Sequence, residues 1–142
     1  MKSEKGALVD AGIFLAALDV SEKEKREKAL QFLLERKESG NNFVSVHSLL
    51  ELSEILTENV RSPLSASQTR EIILEISDAF QILPISPTTV ARALEVMEKF
   101  EIPYSCALSL AVCEEHHVEL FFGEGAEELR GAKQIRAVNP LK

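Results

Sequence analysis

The sequence predicts an α/β fold with three layers, in which helices cover both faces of a central parallel sheet of four to five strands. Short apolar segments alternate with longer amphipathic segments, and this order is typical of parallel sheets. The length of 142 residues suffices for one hydrophobic core but is short for two. The hydrophobic fraction of 45% and the charged fraction of 27% are ordinary for a globular protein. We therefore expect residues 1–142 to form a single domain.

The first elements are a buried strand and two helices. Residues 7–9 are apolar and predict a strand, and residues 13–18 predict a short helix behind it. Ser21 and Glu24 have the spacing of a capping box, which predicts that a second helix starts at Ser21. Residues 40–41, Gly and Asn, are typical of a helix end.

The middle of the chain repeats this order. Residues 43–46 predict a second strand. Ser48 followed by Glu51 has capping-box spacing and predicts the start of the next helix. Ser65 followed by Gln68 has the same spacing and predicts a further helix.

The last part of the chain contains the remaining strands and two helices. Pro84 lacks a backbone donor, so the strand that contains it is expected at an edge of the sheet. Ser86 and Pro87 form a helix start, and Ser105 is expected to cap a helix of small, apolar residues that is buried on most sides. The remaining strands are predicted at residues 81–85, 118–122 and 135–138.

Acidic residues near the ends of predicted strands are the candidates for function. Asp10 directly follows the first strand, where an ionised side chain is rarely buried without a partner or a metal. Ligands of open parallel sheets bind in the crevice beyond the carboxyl ends of the strands. Glu51 would face the same crevice, unless it only caps its helix. Glu124 follows the strand at 118–122 and is either a third acid of the crevice or a solvated loop residue.

Carboxylates that converge in one crevice favour a divalent cation. Carboxylate oxygens are hard ligands that suit Mg²⁺ or Mn²⁺, and several like charges repel one another without a cation. Such an ion can orient a phosphodiester and activate water. The histidines are expected to be structural instead, and they are His47, His116 and His117.

Bulk charge and cysteine placement restrict the partners and the location. The formal net charge of −7 argues against a general polyanion-binding surface, although nucleic acid could still bind at a cleft that contains metal. Cys106 and Cys113 lie about 10 Å apart along one predicted helix, too far for a disulfide. The thiols are therefore expected to be reduced. The sequence also contains no apolar segment of membrane-spanning length, and residues 1–5 are a charged start. Together these features predict a cytoplasmic protein.

Four segments, taken in order, resemble the motifs of the PIN domain family of metal-dependent ribonucleases. Residues 8–15, an apolar strand followed by Asp10 and a helix start, resemble the opening motif. Residues 45–51 are similar to the second motif, which ends in a Glu, and residues 102–108 are similar to the third. Residues 135–141 resemble the common ending of the family. The resemblance covers nearly the whole chain.

This resemblance implies a PIN-like fold and an endoribonuclease that hydrolyses RNA phosphodiesters with Mg²⁺ or Mn²⁺. Transferred to this chain, it implies that Asp10, Glu51 and Glu124 are both the catalytic and the metal-binding residues. It also implies a homodimer, for which Phe14 and Leu15 are candidate contacts unless they pack in the core. An antitoxin-type protein is a further expected partner.

The chain departs from the family pattern at one acidic position. Cys106 stands where the third motif normally places an Asp, and a soft thiol is a poor substitute ligand for Mg²⁺. We therefore expect reduced or lost nuclease activity, and the alternative is a non-catalytic PIN-like module that binds RNA or protein. Receiver-like or phosphatase-like folds fit less well, since Gly12 stands where the phosphatase type has a second Asp, and Phe122 and Gly123 stand where the receiver type has a Lys after a late strand.

Overall fold

The computed structural model describes residues 6–58 and 61–142, and its centre is a five-stranded, all-parallel sheet. The strand order across the sheet is β3-β2-β1-β4-β5. The strands are β1 (Ala7–Val9), β2 (Asn42–Ser45), β3 (Gln81–Leu83), β4 (Leu120–Phe122) and β5 (Arg136–Val138). The expected parallel sheet is confirmed, and β3 lies at one edge as expected, although the strand ends at Leu83, before Pro84.

Helices connect successive strands and cover both faces of the sheet. They are α1 (Ala11–Leu18), α2 (Lys23–Ser39), α3 (Val46–Glu58), α4 (Ala66–Ala79), α5 (Pro87–Phe100) and α6 (Tyr104–Glu115), with a 3₁₀-helix at Glu124–Leu129. Two separate hydrophobic clusters lie on the two faces. Leu8 belongs to the cluster of α5 and α6, whereas its neighbour Val9 belongs to the cluster of α1 to α4. This alternation follows from the two-residue period of a strand and confirms the three-layer arrangement.

The register of the sheet places the carboxyl ends of β1, β2 and β4 beside one another. Ala7 pairs with Asn42 on one side and with Leu120 on the other, and Val9 pairs with Phe122. The chain builds β2 and β3 on one side of β1 and then crosses to the opposite side for β4. The reversal lies next to β1, and open α/β sheets bind ligands at such a reversal.

Aromatic contacts show where the apolar side chains of the first helix lie. Phe14 is buried and meets Phe80 edge to face, with 5.3 Å between the ring centroids. Leu15 is partly buried against the same cluster. Packing in the protein's own core therefore accounts for Phe14, and the homodimer stays a prediction without support from this side chain.

Two of the expected helix caps are present. Ser65 and Gln68 form a capping box at the start of α4, as predicted. Ser86 caps α5, with Pro87 in its first turn. These caps need only a residue pair next to the helix start, so the local sequence is sufficient to predict them.

Three other expected caps are wrong. The N-cap of α2 is Glu22, and Ser21 instead forms hydrogen bonds to Oδ1 of Asp19. Ser48 lies inside α3, because that helix continues from β2 at Val46 without a loop. Ser105 lies in the first turn of α6, whose N-cap is Pro103. In each case the serine hydroxyl has a partner other than the backbone of its helix start.

Two further findings concern the cysteines and membrane association. Cys106 and Cys113 are both free thiols, as their spacing predicts. In the part of the chain that the structure covers, every helix is too short or too polar to span a bilayer. Residues 1–5, which belong to the expected single domain and to the charged start, lie outside the described residues.

Candidate functional site

Asp10 lies at the centre of the crevice formed by the carboxyl ends of the strands. It follows β1 and is the N-cap residue of α1, but its side chain makes no capping bond. Its backbone N–H donates to the carbonyl oxygen of Phe122 at 2.9 Å, which ties it to the end of β4. The carboxyl group therefore lies beside the start of α1, in the crevice, without closing a capping bond.

The crevice disfavours the ionised form of this carboxyl group. The pKa of Asp10 rises from 3.8 to about 6, mainly because burial removes water from the carboxylate and next because Glu51 adds a like charge. Glu124 adds a smaller repulsion, while hydrogen bonds from the Ala11 backbone and the Ser48 side chain lower the pKa. A proton or a cation is thus favoured beside Asp10.

Glu51 shares this crevice with Asp10. It lies on α3, which follows β2, and its Oε2 accepts a hydrogen bond of 3.5 Å from the hydroxyl of Ser105 at the start of α6. Since Ser48 is inside α3, the expected capping box of Ser48 and Glu51 does not form. The hydroxyl of Ser48 instead donates to Oδ1 of Asp10 at 3.4 Å.

Glu124 lies at the rim of the crevice. Its Oε2 forms an ion pair with Nζ of Lys25 at 2.7 Å, and both side chains are about two-fifths exposed, at 42% and 37%. The opposite oxygen, Oε1, is 3.4 Å from the position that a Cβ on Gly12 would occupy. Glu124 therefore approaches the first turn of α1 but already has a cationic partner.

Cys106 projects into the same acidic surroundings. Burial raises the pKa of its thiol, and the charges of Asp10, Glu128 and Glu51 raise it further. A Cβ on Gly125 would lie 3.0 Å from Sγ, so a glycine at this position leaves room for the thiol. The thiol stays protonated at neutral pH, and a protonated thiol is a poor metal ligand.

The donor set for a metal ion is incomplete in this arrangement. Across residues 6–58 and 61–142, no three His, Cys, Asp or Glu side chains are grouped so that they could hold a metal ion. Burial lowers the pKa of His47 to about 4, so it is neutral, and His116 ends α6 at the end opposite the crevice. Asp10 and Glu51 remain as hard oxygen donors that could share a cation.

Sequence reasoning missed three residues that shape the crevice. The sequence pattern assigns Ser48 only to a helix start and gives no role to Lys25. Glu128 approaches Cys106 from the 3₁₀-helix closely enough to raise the pKa of the thiol. No local pattern indicates the contact of Lys25 with Glu124, since it joins residues far apart in the chain.

Comparison with known proteins identifies the family. The model of the PIN domain family matches residues 7–129, and the chain therefore belongs to this family. A sequence search against curated proteins finds no significant match. The family assignment agrees with the resemblance predicted from the four sequence motifs.

Solved structures confirm the fold. A toxin–antitoxin complex from Klebsiella pneumoniae contains a chain with a TM-score of 0.69 at 20% identity, covering 95% of this chain and 98% of that one. FitAB bound to an IR36 DNA fragment gives a TM-score of 0.73 at 14% identity, with 96% of each chain covered. VapC20 of Mycobacterium tuberculosis, described as a sarcin-ricin loop cleaving toxin, gives 0.69 at 13% identity, covering 92% and 99%.

Proposed function

We propose that this chain is a Mg²⁺- or Mn²⁺-dependent endoribonuclease whose activity is reduced because Cys106 occupies the third acidic position. The observation that supports this most is the pair of carboxylates in one crevice. Asp10 and Glu51 lie close enough that the charge of Glu51 raises the pKa of Asp10. Like charges in a crevice with restricted access to water favour a shared cation.

The donor chemistry is compatible with a hard divalent cation that binds weakly. Mg²⁺ is usually held by one or two carboxylates together with water and substrate phosphates, so two carboxylates can suffice when RNA is present. Such an ion, when bound, supplies orientation of the phosphodiester, activation of water and stabilisation of developing charge. A site with only two carboxylate donors thus predicts weak metal binding in the absence of RNA.

The residues of this chain have separable roles in the proposal. Asp10 and Glu51 hold the cation, and each is oriented by a serine hydroxyl, from Ser48 and Ser105 respectively. Glu124 is the third proposed ligand and catalytic residue, and while its Oε2 pairs with Lys25, its Oε1 is directed towards Gly12. The protonated Cys106 thiol adds no charge to the site.

A cleavage assay with single-stranded and structured RNA tests the proposal. We expect slow cleavage that requires Mn²⁺, stops with a chelator and is abolished by Asp10→Asn. Glu54→Gln is the matched control, because Glu54 is exposed on the same helix as Glu51 and has no part in the site. Cleavage that persists in Asp10→Asn would contradict the assignment of the site.

A non-catalytic binding module is the second candidate function. It is favoured by the incomplete donor set in the described residues and by an apolar groove of about 790 Å³ between α1 and α4. Leu18, Leu64 and Ile72 line this groove. An antitoxin-type partner could place an amphipathic segment there. This candidate predicts no hydrolysis even at high Mn²⁺ and binding that is insensitive to a chelator.

The homodimer is also proposed, by analogy with the family. Sedimentation of the isolated chain checks it. We expect a mass of twice 15.8 kDa. A monomer over the whole accessible concentration range would contradict it.

A further inference from the structure

A chain of hydrogen bonds connects His47 to the candidate metal ligand Asp10. His47 lies in the first turn of α3, and its Nδ1 is 2.7 Å from the hydroxyl oxygen of Ser45. That oxygen is 3.2 Å from the hydroxyl of Ser48, which is 3.4 Å from Oδ1 of Asp10. Both serines are buried, at 0% and 2% exposure, so water has little access to the chain of bonds.

The number of available protons determines the direction of these bonds. Each serine hydroxyl has one proton and can accept twice. Ser48 gives its proton to Asp10, which accepts as a carboxylate, so the bond between the serines needs the proton of Ser45. Ser45 must then accept from His47, which places the proton of the neutral imidazole on Nδ1. The second acceptor site of Ser45 receives the backbone N–H of Ser48 at 3.3 Å.

The tautomer of His47 with its proton on Nε2 would leave more polar groups without a hydrogen-bond partner. With the proton on Nε2, Ser45 would donate to His47 and no proton would remain for the bond between the serines. Nε2 is also buried and has no partner among the residues that the structure describes. A buried N–H without an acceptor is less tolerated than an unused acceptor. Both facts favour the proton on Nδ1.

We propose that His47 is a positioning residue for Asp10, acting through Ser45 and Ser48 to hold one oxygen of the carboxylate in a fixed orientation. Each hydrogen bond in this series, from His47 through Ser45 and Ser48, is donated in the direction of Asp10. The series therefore stabilises the ionised form of the Asp10 carboxyl group, which is the form that binds metal. Two serine hydroxyls separate His47 from Asp10, so His47 is not itself one of the proposed metal ligands. Its importance for cleavage rests on the proposed function, whereas the hydrogen-bond chain itself does not.

The first test measures the tautomer of His47 directly. In ¹⁵N-labelled, metal-free protein at neutral pH, we expect the Nδ1 signal of His47 in the protonated range and the Nε2 signal in the unprotonated range. Ser45→Ala should weaken this preference. A proton on Nε2 in the wild-type protein would overturn the proposal, whether or not the protein cleaves RNA.

The second test uses a pair of substitutions that differ in one donor. The amide of Asn can place an N–H where Nδ1 of His47 lies, whereas Leu cannot, so His47→Asn should retain the chain and His47→Leu should remove it. Loss of a hydrogen-bond partner that supports a metal ligand commonly costs about 10- to 100-fold in affinity or activity. We expect about a tenfold weaker Mn²⁺ affinity for His47→Leu and a change of less than about threefold for His47→Asn.

Two measurements keep this second test interpretable. Circular dichroism and thermal unfolding establish that both variants fold. The ¹³C signal of the Asp10 carboxyl carbon in metal-free protein should shift in His47→Leu and stay near the wild-type value in His47→Asn. Equal behaviour of the two folded variants in this signal contradicts the proposal. If only the carboxyl signal responds as expected and no metal-dependent cleavage occurs, the positioning role stands and the proposed function fails.

Discussion

Asp10 combines a central position in the sheet with an environment that opposes its charge. Its pKa of about 6 means that the folded protein holds a proton on this group at pH values where the unfolded chain, near 3.8, has lost it. Burying an ionised carboxyl group lowers the stability of the folded protein. Carboxyl groups with such perturbed pKa values in a crevice are typical of functional sites. Replacing Asp10 should therefore change the free energy of unfolding by a measurable amount.

The first prediction concerns Asp10→Asn and pH in the presence of a chelator. Below about pH 4 the carboxyl is protonated in both states and costs nothing, and above about pH 6 it is ionised in both and destabilises the folded state. The rise of the Asp10 pKa from 3.8 to about 6 corresponds to about 3 kcal/mol at most. We expect Asp10→Asn to raise the free energy of unfolding by up to that amount at pH 8 and very little at pH 4.

Urea unfolding at the two pH values checks this prediction. Asp78→Asn is the control, because Asp78 is exposed on α4 and its substitution should change stability by less than about 0.5 kcal/mol at either pH. A loss of stability in Asp10→Asn at pH 8 would show that the carboxylate has an unrecognised favourable partner.

The second prediction concerns the missing acid. Cys106 lies in the same surroundings as Asp10 and Glu51, so Cys106→Asp adds a hard, charged oxygen donor where the thiol adds none. We expect Mn²⁺ affinity to rise at least about tenfold, since even a supporting partner of a ligand is commonly worth that much. Calorimetric titration measures it. Cys106→Asn has the same shape without the charge and should leave the affinity near the wild-type value.

At the scale of elements, the helix starts show what local sequence can and cannot predict. Ser65 and Gln68 were predicted correctly because the cap and its partner depend only on one another. Ser48 has the same spacing from Glu51, but β2 leads directly into α3, and the serine is inside the helix. Its hydroxyl then bonds to Asp10, which is 38 residues away in the chain. Contacts at such separation come from the packing of the sheet.

The third prediction compares two serines with similar sequence patterns. Ser65 accepts a hydrogen bond from the backbone N–H of Gln68, so Ser65→Ala should destabilise the protein by about 1 kcal/mol. Ser21 is not the N-cap of α2, and its hydroxyl donates to Asp19, so Ser21→Ala should cost no more than about 0.5 kcal/mol. Thermal or urea unfolding of both variants measures the difference. Equal losses would mean that the helix-start assignment of α2 is wrong.

At the scale of the whole molecule, the strand order explains why distant segments meet. The parallel sheet brings the carboxyl ends of β1, β2 and β4 to one edge, and Asp10, Glu51 and Glu124 follow these strands. The pattern of strands and helices was sufficient to predict that these strand ends lie side by side. The ion pair of Lys25 with Glu124 was not predictable, because it depends on how α2 lies across the sheet.

The fourth prediction follows from the overall charge. With a formal net charge of −7 and acids at the crevice, the chain should repel RNA unless a cation is present. We expect RNA affinity to fall at least about tenfold when Mn²⁺ is replaced by a chelator at constant ionic strength, a factor that corresponds to about 1.4 kcal/mol. Fluorescence anisotropy with a labelled RNA measures this. RNA affinity that is unchanged by the chelator would favour the non-catalytic binding module.

A crystal structure of the Cys106→Asp variant soaked in Mn²⁺, with anomalous diffraction recorded near the manganese edge, would show whether Asp10 and Glu51 share a metal ion. We predict one or two anomalous peaks in the crevice, coordinated by Asp10 and Glu51 and by the introduced carboxylate. An empty crevice at saturating Mn²⁺, or a peak bound elsewhere while Asp10 and Glu51 remain in place, would contradict the account.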